Sequence, residues 1–64
     1  MQKLKVIKKT EISYGVYKYL YRYNNKYYVH VSYFPYKTFK DLKEAYEPFD
    51  SGNKKEMENI FKKI

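Results

Sequence analysis

From Val16 to Tyr33 the chain alternates on a period of two. Tyr17, Tyr19, Tyr21 and Tyr23 share one parity, and Val16, Lys18, Leu20 and Arg22 share the other. Asn24-Asn25 then separates this run from a second one, Lys26 to Phe34. Two such runs about a two-residue Asn turn predict a β-hairpin, since Asn tolerates the positive φ that a type I′ turn demands. A two-residue loop sets Val16, Lys18, Leu20 and Arg22 against Tyr33, Val31, Val29 and Tyr27. The other face then pairs Tyr17 with Ser32, Tyr19 with His30, Tyr21 with Tyr28 and Tyr23 with Lys26. A three-residue loop would set valines against tyrosines, so the aliphatic match selects the two-residue register.

Upstream, Lys3-Leu4-Lys5-Val6 alternates as well and predicts a first strand with Leu4 and Val6 inward, extending into residues 7–12. Ser13-Tyr14-Gly15 is either its turn into the hairpin or a bulge in one long strand, because Gly15 permits both. Downstream the period changes. Pro35 ends the last strand, and Thr38-Phe39-Lys40-Asp41 reads as a capping box. Phe39, Leu42, Tyr46 and Phe49 follow at helical spacing, predicting a helix over about 39–47 that Pro48 stops. After Asp50-Ser51-Gly52-Asn53, which offers several N-caps, Met57, Ile60, Phe61 and Ile64 form a stripe predicting a second helix over about 53–63.

The expected fold is α+β: a three-stranded antiparallel β-sheet followed by two short α-helices packed on one face, in the order β-β-β-α-α. The aliphatic face is the one expected to be covered, with Val16, Leu20, Val29, Val31, Leu42, Tyr46, Phe49, Ile60 and Phe61 buried. Residues 1–64 form one small domain without cysteine, so the core must draw on some of the tyrosines.

The net charge of +7 at first reflects composition: Lys, Asn, Tyr, Ile and Phe all have AT-rich codons, and 13 of the 14 basic residues are lysine. Base composition does not explain where the charges sit. Residues 1–40 carry nine basic residues against Glu11 alone, whereas residues 41–64 carry five basic and six acidic ones. The expected partner is therefore nucleic acid or an acidic protein or nucleoprotein surface, met by the sheet half. No apolar run approaches a membrane span and no signal-like h-region follows Met1, which points to a cytoplasmic protein with no membrane role.

Catalytic chemistry finds no foothold. There is no Cys, His30 is the sole histidine, and Ser13, Ser32 and Ser51 lack a Gly-x-Ser-x-Gly context or a nearby base and acid. Asp41, Glu44 and Glu47 read as a solvated helix face. One His without Cys makes no metal set, and isolated Gly15 and Gly52 cradle no phosphate. A non-enzyme with no cofactor, no metal and no small-molecule substrate is the expectation.

The aromatic and basic face of the hairpin is the candidate contact surface. Lysines neutralise phosphates and rings stack on bases, so Lys5, Tyr17, Tyr19, Tyr21, Tyr23, Lys26, Tyr28, His30 and Lys37 are the expected contact residues. The competing reading makes Tyr17, Tyr21 and Tyr28 part of a thin core or covers them with the second helix, with His30 simply the cross-strand partner of Tyr19.

Over residues 14–47 the aromatic hairpin, the Lys37-Thr38-Phe39 helix entry and Lys43-Glu44-Ala45 resemble the N-terminal arm-type DNA-binding domain of tyrosine recombinases, the integrases of phages and conjugative transposons. The resemblance implies a sheet lying in the DNA major groove, with Tyr19, Tyr21, Lys26 and Tyr28 facing it. The chain departs from that pattern in having no strand tryptophan, no Gly-Lys hairpin tip and an additional C-terminal helix. In size and composition it also resembles small proteins of phages and mobile elements, including inhibitors of the anti-CRISPR kind. That likeness implies the alternative of a protein inhibitor of a host or defence nucleoprotein enzyme, using the same face.

Overall fold

The computed structural model describes residues 3–46 and 51–64. Three antiparallel strands, β1 (Lys5–Ser13), β2 (Val16–Tyr23) and β3 (Lys26–Ser32), form a sheet in sequence order and are followed by helices α1 (Phe39–Ala45) and α2 (Lys54–Lys63). The hairpin has the two-residue register: Tyr19 faces His30, Leu20 faces Val29, Tyr21 faces Tyr28 and Tyr23 faces Lys26. Asn24 and Asn25 both adopt positive φ, 55° and 66°, as a type I′ turn requires.

The junction of β1 and β2 is a turn, and Gly15 takes its left-handed position at φ 73°. Irregularities between Val6 and Lys8 and between Glu11 and Ser13 break the period of β1. Each leaves an extra residue on β1, and the first lets Ile7 pack beside Leu20 although Val6 lies opposite Tyr21. Val6, expected inward, is consequently exposed, whereas Leu4 is buried.

The two helices lie on opposite faces of the sheet. Leu42 of α1 is buried in one cluster with Leu4, Tyr19, Tyr21 and Tyr28, on the tyrosine face. Met57 and Phe61 of α2 are buried in a second cluster with Leu20, joined by Ile7, Tyr27 and Val29, on the aliphatic face. Both helices were expected on the aliphatic face, with α1 as its main cover. Backbone bonding explains the difference. The Tyr36 N–H donates to the Tyr21 hydroxyl at 2.9 Å and the Leu4 N–H donates to the Lys37 carbonyl at 3.1 Å, so the segment before α1 is fastened across the tyrosine side. Gly52 then exchanges two backbone hydrogen bonds with Tyr27, 2.9 and 3.1 Å, along the outer edge of β3. At this edge the chain passes to the aliphatic side. A Cβ on Gly52 would sit 3.0 Å from the terminal methyl of Met57 and 3.1 Å from Glu56 Oε1, so α2 approaches the strand edge closely here.

Both helices start where side chains accept their first free amides. Thr38 Oγ1 accepts from the Asp41 N–H at 3.1 Å, and Asn53 with Glu56 forms a reciprocal capping box. Lys18 closes the far end of α2: its ammonium donates to the Phe61 carbonyl at 2.8 Å and lies 4.7 Å from the Phe61 ring centre. Of the expected core, Leu20, Leu42 and Phe61 are buried and Val16 and Val29 half-buried, but Val31, Tyr46 and Ile60 are exposed. Glu47, Pro48 and Phe49 lie outside the described residues.

Candidate nucleic-acid interface

The tyrosine ladder is core. Tyr19 and Tyr21 are 0 % exposed and Tyr28 6 %, which overturns the expectation that this face stays open for contacts. The reason is compositional: the chain has eleven Leu, Val and Ile residues but fourteen Tyr and Phe, and a sheet covered on both sides must fill one layer with rings. Tyr19 and Tyr21 stack at 5.6 Å between centroids. Burial pushes the Tyr21 hydroxyl up to about 12, although the Tyr36 N–H bonded to its oxygen pulls the other way. Burial also raises Tyr28, against a hydrogen bond with Ser51, and raises Tyr19, whose hydroxyl has no hydrogen-bond partner among the described residues.

His30 is half-buried between Tyr36 and Tyr46, at 5.3 and 5.0 Å, and desolvation holds its imidazole below the ordinary value. Such a histidine favours the neutral form, so it offers an anion little charge. Tyr17, half-buried, lies under Lys9, whose ammonium is 4.6 Å from the ring centre. Lys26 and Lys37 are exposed.

Lys5 and Tyr23, by contrast, meet at one place. Together with Lys3, Arg22, Asn24 and Asn25 they line a shallow depression of about 460 Å³ at the hairpin tip. Three local features build it. Pairing of β1 with β2 sets Lys5 opposite Arg22, and the type I′ turn brings Asn25 Oδ1 within 3.2 Å of the Arg22 guanidinium, which donates to it. Tyr23 is half-buried and stacks flat on Phe39 of α1, at 4.2 Å and 9° between planes. No carboxylate lines the depression, and among the described residues none pairs with Lys3, Lys5 or Arg22. Elsewhere on the sheet Lys8 pairs with Glu58 of α2 at 3.6 Å, and Lys18 is turned onto the end of α2. Lys9, set on the Tyr17 ring, also pairs with no carboxylate among the described residues, so the uncompensated charge of the sheet collects mainly, not wholly, at the hairpin tip.

Lys3, Arg22, Asn24 and Asn25 were not among the expected contact residues. Arg22 falls on the aliphatic parity of β2, and its meeting with Lys5 depends on a β1 register that the bulges make irregular. Asn24-Asn25 was the available signal, since it marks where β2 and β3 end together. A second concavity of about 350 Å³, lined by Val29, His30, Val31, Tyr46, Met57, Ile60 and Ile64, is mostly apolar and has no Lys or Arg with which to hold a polyanion. No protein-family model matches the chain, and neither a curated protein nor a solved structure does.

Proposed function

We propose that this chain binds nucleic acid through the hairpin-tip end of its sheet, in the cytoplasm, and performs no chemistry on it. The observation that carries the reading is the convergence of Lys3, Lys5 and Arg22 on one depression without a neutralising carboxylate. Clustered cations release the counterions condensed on a phosphate backbone, which supplies sequence-independent affinity. Exposed Lys26, opposite Tyr23, and exposed Lys37, hydrogen-bonded through its carbonyl to Leu4, extend the basic surface on either side. The ladder face is covered by α1, so the reading borrows nothing from the groove-facing sheet of the arm-type domain.

A shift assay with generic DNA and RNA across a salt series tests it. Affinity should fall steeply with salt, with a log–log slope of about −0.7 to −0.9 per phosphate neutralised. Reversing Lys5, Lys26 and Lys37 to Glu should weaken binding and flatten that slope. Reversing Lys54, Lys55, Lys62 and Lys63 should change it far less, and the opposite pattern would mean that the interface lies in the C-terminal half.

A further inference from the structure

Resting on that reading, the geometry points to an unpaired strand as the ligand, with a single base laid against Tyr23 and its flanking phosphates held by Lys3, Lys5 and Arg22. Three observations combine. The depression, about 460 Å³, falls within the roughly 300–1,000 Å³ range of small-molecule sites, which is room for one nucleotide. Its one aromatic wall is Tyr23, whose ring is already held flat by Phe39, so a base adding to that stack meets a pre-positioned surface. The remaining lining residues divide by chemistry into cations for phosphate, Lys3, Lys5 and Arg22, and two amides, Asn24 and Asn25, which can hydrogen-bond a base edge.

In a duplex the faces of each base are occupied by its stacked neighbours, so a ring inside a depression has nothing to stack on. Phosphate attraction alone would favour the duplex, which carries twice the charge per unit length of its single strand. The charge term and the stacking term therefore predict opposite orders of affinity. That opposition makes the inference decidable with the intact protein.

Fluorescence anisotropy is measured with three labelled 12-mers: a thymidine single strand, the same strand paired with its complement, and a base-free deoxyribose-phosphate strand. The expected result is that the single strand binds tightest, with the base-free strand weaker by roughly 5- to 150-fold, the span of one base–aromatic stack. Tyr23→Leu should remove most of that advantage, and Tyr23→Phe should keep it. Equal binding of the single and base-free strands, or tighter binding of the duplex, would overturn the stacked-base inference while leaving nucleic-acid binding intact. If none of the three binds at low salt, both fall together. Should Tyr23→Leu not fold, the three ligands still decide the matter on the unmodified chain.

Discussion

Tyr19 and Tyr21 are neighbours on one strand face, equally buried, yet their hydroxyls differ in a way that a methodical pair of deletions should expose. The Tyr21 oxygen accepts the Tyr36 N–H at 2.9 Å, whereas the Tyr19 hydroxyl is buried with no partner among the described residues. Tyr21→Phe removes the acceptor and strands a part-buried amide, at a cost of about 1–3 kcal/mol. Tyr19→Phe removes a hydroxyl whose unpaired burial itself costs about 1–3 kcal/mol, so the change should be neutral or stabilising. The two variants should thus differ by at least about 2 kcal/mol if each effect lies mid-range. In a domain of this size 1 kcal/mol moves Tm by about 4–8 °C, which puts the separation at roughly 8–16 °C. Circular-dichroism melts would read it, supported by urea midpoints at unchanged m. Because both substitutions keep the ring, packing is held constant. Equal destabilisation by the two would refute the assignment of the Tyr21 hydroxyl as the anchor of residues 36–38.

Three further outcomes follow from the same geometry. Burial pushes the Tyr21 phenol up to about 12 from its ordinary value of 10.0, so the folded chain holds that proton more tightly than the unfolded one. Stability should be whole below pH 10 and decline as pH rises from 10 to 12, by roughly 3 kcal/mol for this group, and Tyr21→Phe should flatten the decline; parallel pH curves for the two proteins would contradict it. Gly15→Ala should cost about 1–2 kcal/mol by chemical denaturation, purely through backbone strain at φ 73°, since an added Cβ meets nothing within 4 Å; Gly15→Asn should recover part of it, and an unchanged midpoint for the alanine variant would count against the turn. Asn53→Ala breaks the capping box of α2 and should cost about 0.5–2 kcal/mol, with the loss of amide protection concentrated at the start of that helix.

What the sequence determined by itself was local. Period-two alternation set the hairpin, Asn24-Asn25 with the aliphatic match across it set its turn type and register, and Thr38 set the start of α1, because each depends only on residues adjacent in the chain or facing across a short loop, whereas residues 50–53 offered several caps for α2 and the structure selects Asn53. Cation excess in the first forty residues was also visible, being a count. Which helix covers which face was not, since α1 and α2 carry similar apolar stripes and either could meet either side of the sheet. Long-range bonds decided it: Tyr21 to Tyr36 and Leu4 to Lys37 hold α1 over the rings, and the Tyr27–Gly52 pair carries the chain around the β3 edge. The same placement moved the contact site. Tyrosine has both a large apolar ring and a polar tip, so its pattern along a strand is compatible with core and with surface alike. Only the docking of α1, with Leu4 and Tyr36 beside it, covered Tyr19, Tyr21 and Tyr28, and only the pairing of β1 with β2 brought Lys5 and Arg22 together beside Tyr23.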